Sequence, residues 1–145
     1  MSLSRWSATC GALGFGISLY LAIVHYAQGQ VSLACATTGV INCEQVTSSA
    51  ESMIGPVPVA VLGIAWFGLC LVLLAVRPRP LWLLIWTGIG VGFVFYLIYA
   101  ELFLIGAVCL WCTAVHLLVL ALFLLAVAEA AAAADDPLLS EPAAR

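Results

Sequence analysis

The stretch AVCLWCTAVHLLVLALFLLAVA, residues 107–128, decides the fold. It carries no charged side chain, and its apolar residues neither alternate, as in a half-exposed strand, nor keep to one helical stripe. A run of this length forms a helix that is apolar all round and, at 1.5 Å per residue, long enough to cross about 30 Å of hydrocarbon. Two cysteines, Cys109 and Cys112, stand three apart near its start, and His116 follows one helical turn later.

Three similar runs precede it, so the predicted spans are residues 9–27, 56–76, 82–105 and 108–128. With 66% hydrophobic residues, 8% charged ones and no lysine, the chain lies far outside the range of soluble domains. The expected fold is an all-α membrane protein, a four-transmembrane-helix bundle with a cysteine-containing loop, residues 28–55, on one face. No nucleic-acid partner is expected. Pro56 and Pro58 suit the first turn of the second helix, and Pro78 and Pro80 suit the turn before the third. Residues 129–145, alanine-rich, acidic and interrupted by proline, read as a disordered tail. A cleaved signal peptide is the alternative for the first run, against which stand its length and the lack of a small-x-small cleavage site.

Arg5, Arg77, Arg79 and Arg145 set the orientation. Alternating through four spans from a cytoplasmic N-terminus puts all four arginines inside and the 28–55 loop, which has no Lys or Arg, outside. The expected location is therefore a membrane, with both termini cytoplasmic and the loop on an oxidising face, as in a bacterial inner membrane or a eukaryotic ER. The outer face then holds Cys35 and Cys43 in the loop and Cys109 and Cys112 at the start of the last helix. Cys10 lies at the inner end of the first helix, and Cys70 lies about 21 Å beyond Pro56 along the second. Neither can join the outer pairs, and both read as small buried hydrophobes.

Two cysteine pairs at an oxidising face admit three readings. They could be structural disulfides, although a C-x-x-C bridge closes too small a loop to stabilise much. They could form a four-thiolate zinc site, against which Trp111 between the second pair and the lack of a neighbouring cation both count, so no metal is expected. They could exchange electrons, which the helix start favours because its free N–H groups and dipole stabilise a thiolate at Cys109. Cys112, one turn deeper, would face a lipid-soluble acceptor. Glu101 is an ionisable group inside a span and marks function by default, unless it reaches the interface by snorkelling. His116 could hydrogen-bond a bound ring or move a proton, or simply satisfy a neighbouring carbonyl. His25, Tyr20 and Tyr26 read as interfacial residues, and Trp6, Trp66, Trp82, Trp86 and Trp111 as anchors or packing.

The order Cys35-x7-Cys43, Ser49 six residues on, then GPVPVAVLG and YLIYAELFLIGAVCLWC resembles the vitamin K epoxide reductase family, most closely its bacterial quinone-linked members. The resemblance spans the chain from first helix to fourth. It implies an active-site disulfide between Cys109 and Cys112 and a shuttle between Cys35 and Cys43. It also implies a quinone (ubiquinone, menaquinone or vitamin K) near Ser49, with a turn hydroxyl as the plainer reading of that residue; His116 and Glu101 are assigned to the same quinone site from their places in the spans, not from the resemblance. Electrons would come from a separate thioredoxin-fold (DsbA-like) protein, since the thioredoxin-like domain of several bacterial relatives is not found here. Two alternatives stay open: reduction of vitamin K or its epoxide with thiols as fuel, and a structural tetraspan protein with inert disulfides. His116 stands where vertebrate members have tyrosine, which separates this chain from their epoxide and coumarin binding.

The arginine pattern gives a direct test. After reduction, a membrane-impermeant thiol reagent applied from outside should label Cys35 and Cys43 and leave Cys10 unlabelled; labelling of an Arg79→Cys variant from that side, with the loop protected, would reverse the orientation.

Overall fold

The structure, a computed structural model, describes residues 3–27, 30–31, 33–35, 38–76 and 80–134. Four helices are long and apolar enough to cross a membrane, Leu3–Tyr26, Val59–Val76, Leu81–Ile105 and Leu110–Ala134. The protein is a multi-pass membrane helical bundle.

Helix α1 (Leu3–Tyr26) packs on α3 (Val59–Val76) and on α5 (Leu110–Ala134), and α5 packs in turn on α4 (Pro80–Tyr99). The α1/α3 contact is close because Gly14 faces the Phe67 ring, where any Cβ would collide. Phe67 is buried with Val94, Val119 and Leu122, which joins α3, α4 and α5 in one apolar core. At the opposite end from the loop, the buried Ser7 hydroxyl donates to Glu129 Oε1 at 3.3 Å and ties α1 to α5. Cys70 is buried in the bundle, and Cys10 is half-buried beside the core.

Several boundaries differ from the sequence expectation. The first helix begins at Leu3 rather than at residue 9, and the last continues to Ala134. Residues 135–145, and with them Arg145, lie outside the described residues, as do Arg77, Pro78 and Arg79. Pro56 and Pro58 do not open the second spanning helix. Strands β1 (Met53–Ile54) and β2 (Val57–Pro58) pair antiparallel, with Ile54 opposite Val57, and Gly55-Pro56 forms the turn between them. Proline is tolerated at a strand end as well as at a helix start, and the hairpin captures the backbone groups that a helix would have used.

The loop carries α2 (Cys43–Thr47), capped by the Asn42 side chain, and a 3-10 turn, Ala50–Ser52. Helix α4 continues as a π-helical segment, Ala100–Ile105, whose wider turn ends at Gly106 with φ 69°. A left-handed residue is needed there because the Gly106 and Ala107 N–H groups both return to the Glu101 carbonyl.

Gly14→Leu should lower bundle stability by about 1–3 kcal/mol through overpacking against Phe67, read as a lower thermal midpoint in detergent. Gly16→Leu, which meets open space, should leave the midpoint unchanged.

Candidate functional site

A short backbone ladder brings the two cysteine pairs together. Thr38 and Ile41 close a tight turn on each other, and Ile41 pairs in parallel with Val108. The Val108 N–H donates to the Val40 carbonyl at 2.9 Å, and the Asn42 N–H donates to the Val108 carbonyl at 3.1 Å. Cys43 follows Asn42 and Cys109 follows Val108, so the ladder sets the two residues side by side. Both are fully buried in one cluster with Val46 and Ala107, and Cys35 and Cys112 pack against it. Cys35 and Cys43 form a disulfide with Cα atoms 6.1 Å apart, while Cys109 and Cys112 are free.

Cys109 is not in the first turn of the last helix, as the sequence suggests, but is its cap. Its carbonyl accepts the Thr113 N–H at 2.9 Å, and its sulfur accepts the Cys112 N–H at 3.3 Å. That is the reach of an N-cap side chain to the third helical residue. The Cys109 and Cys112 sulfurs and the Glu101 carboxylate are neighbours, close enough to interact electrostatically. Cys109 lies between the spanning helices, and its thiol is held below the ordinary cysteine value, chiefly by the hydrogen bond from Cys112; burial and the Glu101 charge oppose the shift and are outweighed.

Beside this cluster a cavity of about 330 Å³ opens between the loop and the bundle. Its walls are apolar, formed largely by aliphatic and aromatic side chains of α1, α3 and α4. Cys112, His116 and Glu101 line one part of it, and the last two are buried. The Trp66 ring lines it too, and its indole Nε1 is buried without a hydrogen-bond partner among the described residues. The structure therefore brings Cys112, His116 and Glu101 to one space. It does not bring Ser49 there. The Ser49 hydroxyl donates to the Val46 carbonyl at 2.8 Å and accepts the Ser52 N–H at 3.2 Å, so it caps the 3-10 turn; Thr47 and Ser52 reach the cavity instead.

Sequence reasoning also missed His25, which lines the cavity rather than only the interface, and the bracing of the loop. Trp111 Nε1 donates to the Ala34 carbonyl at 2.9 Å, the Tyr20 hydroxyl accepts the Ala34 N–H at 3.2 Å, and the two rings lie 5.2 Å apart. Gln45 Nε2 holds the Ile105 carbonyl at 3.2 Å. An amphipathic ring near a helix end is the usual mark of an interfacial anchor, so only the packing reveals the second use. Among the described residues no group of three or more His, Cys, Asp or Glu side chains is placed to hold a metal ion.

The model of the vitamin K epoxide reductase family matches residues 5–127, most of the chain. A comparison with curated proteins gives no match.

Removing the Trp111 N–H should loosen the loop at the residue before Cys35. Trp111→Phe keeps a ring against Tyr20 and loses one hydrogen bond, worth about 0.5–1.5 kcal/mol, so a small external reductant should open the Cys35–Cys43 disulfide roughly 2–10-fold faster in a gel-shift time course.

Proposed function

The chain belongs to the vitamin K epoxide reductase family and is a membrane oxidoreductase, and from that premise we propose that it carries electrons from a reduced thioredoxin-fold protein to a quinone. The route runs through Cys35 and Cys43 and then Cys109 and Cys112, and its outcome is disulfide formation in the partner's substrates. The observation that carries this reading is the burial of Cys43 against Cys109, with Cys112 next in line at the wall of an apolar cavity.

The exchanges follow from accessibility. Cys35 is half-buried and Cys43 fully buried, so an incoming partner thiolate attacks Cys35, and Cys43 leaves as a thiolate. A second partner thiol frees Cys35 and departs in a disulfide. The Cys43 thiolate then attacks Cys109 in its bond to Cys112, and Cys112 leaves with the electron pair. Attack by Cys35 on Cys43 restores the loop disulfide and leaves Cys109 and Cys112 as a dithiol. A joined Cys35–Cys43 pair beside free Cys109 and Cys112 is the arrangement that follows this internal exchange and precedes oxidation by the quinone. In this orientation the loop faces outside and the partner approaches from there.

The cavity suits a quinone head by its volume, its apolar walls and the unpartnered Trp66 N–H, a donor fit for a carbonyl oxygen. When bound there, a quinone supplies an acceptor for two electrons and two protons. Trp66 and His116 would orient it, Cys112 would face it, and Ser49 would act from behind by holding Ser52 and the 3-10 turn in place.

Anaerobic mixing of the protein with a ubiquinone or menaquinone and a reduced thioredoxin-fold protein should bleach the quinone absorbance. Cys112→Ala closes one exit from the mixed disulfide and removes the thiol nearest the cavity. In that variant Cys109 can bond Cys43 only by displacing Cys35 from the loop disulfide, so a Cys43–Cys109 link should appear beside a free Cys35 in non-reducing peptide mass spectrometry, and the protein should reduce no quinone. Cys10→Ala and Cys70→Ala should behave as wild type. A Cys112→Ala protein that keeps Cys35–Cys43 joined and still reduces quinone at the wild-type rate would remove Cys112 from the path.

A further inference from the structure

Glu101 is an expensive residue to bury. It is 6% exposed, within a spanning helix, where an unpaired carboxylate would not be retained. Its surroundings are built around it. The π-helical turn that it begins with Ala100 widens the backbone at this point, and its own carbonyl collects the Gly106 and Ala107 N–H groups that reverse the chain into the Cys109 segment. Its carboxylate lies close enough to Cys109 and Cys112 to interact electrostatically with both. The same carboxylate lines the cavity with Cys112 and His116. The other titratable groups on that cavity are His25 from α1 and Glu51 from the 3-10 turn.

The Cys112 thiol carries one proton, and the Glu101 carboxylate lines the same cavity beside it. Oxidation of the dithiol must release that proton into a space with little water to take it. Resting on the quinone-reducing function above, we propose that Glu101 is the proton carrier of the site, taking the Cys112 proton as the Cys109–Cys112 bond forms and delivering it to the acceptor in the cavity. The balance closes. Two thiols give one disulfide, two electrons and two protons; both electrons go to the quinone, the Cys112 proton passes through Glu101 to one oxygen, and the Cys109 proton follows through the emptied carboxylate to the other.

A structural role is the competing one, because a side chain that only fills this turn would fill it equally well as an amide. Glu101→Gln separates the two: the amide keeps the shape and an accepting oxygen, but it cannot take up a proton. The first measurement needs no quinone. Infrared difference spectra of the wild-type protein, cycled between reducing and oxidising thiol buffers, should show a protonated-carboxyl stretch appearing as the Cys109–Cys112 dithiol is oxidised, and Glu101→Gln should lack it. The second is turnover with a ubiquinone. Glu101→Gln should lower kcat by about 100-fold or more, the scale of lost acid–base catalysis, with quinone KM little changed and exchange between partner and loop disulfide intact. If oxidation produces no carboxyl stretch in the wild type, Glu101 does not carry the proton, whatever the turnover. If Glu101→Gln reduces quinone at the wild-type rate, the residue is structural only. A carboxyl stretch in a protein that reduces no quinone would retain the proton uptake at Glu101 and overturn its delivery to a quinone.

Discussion

Two backbone hydrogen bonds, from Val108 to Val40 and from Asn42 to Val108, hold the redox path together. Disulfide exchange requires sulfur atoms to meet, and the loop and the last helix are far apart in the chain. Closing so long a loop costs entropy that no single sulfur contact offsets. The ladder fixes the register by one residue on each side, so that Cys43 and Cys109 are buried together. Gln45 and Trp111 brace it from either flank, through the Ile105 and Ala34 carbonyls. Near a bilayer, where unpaired backbone groups are costly, such a ladder is also the cheapest way to end both segments.

The four spans were legible because hydropathy over such lengths has no competing explanation in a chain with so few charges. The cysteine pattern was legible for a different reason: a C-x-x-C at a helix start is a local arrangement that sequence spacing alone defines. Facing was not legible. Ser49 has the right type and offset, yet its hydroxyl turns to Val46 and Ser52, because a serine before a 3-10 turn is drawn to the free N–H groups at its start. His25 and Trp66 read as interfacial or packing residues, and nothing local in the sequence says that their helices present them to a cavity. For Trp66 the room comes from Gly90 on the neighbouring helix, whose missing Cβ leaves space for the indole. Pro56 and Pro58 misled for a related reason, since a proline marks an edge without saying whether a strand or a helix adjoins it.

Polar groups in the bundle are few, and most are tied to a backbone atom. Thr87, fully buried, returns its hydroxyl to the Leu83 carbonyl, and Ser7 bonds both Leu3 and Glu129. The Glu101 carbonyl collects the Gly106 and Ala107 N–H groups, so one residue ends the third span and turns the chain toward the fourth. Against that background, the Trp66 N–H is buried with no hydrogen-bond partner among the described residues, on a ring that lines the cavity.

The sulfur cap at Cys109 couples helix structure to redox driving force. The Cys109 sulfur accepts the Cys112 N–H as a reduced atom, and the helix dipole favours negative charge at the same place. A disulfide sulfur is a poorer acceptor and carries no charge. Whatever the cap contributes to the reduced pair is therefore withdrawn on oxidation, which makes the Cys109–Cys112 couple a stronger oxidant than an uncapped dithiol. For a two-electron couple each 1.4 kcal/mol of that preference corresponds to about 30 mV. An N-cap worth about 1 kcal/mol thus displaces the internal equilibrium by several-fold toward electrons on the inner pair. The first turn of α5 sets a potential as well as a direction.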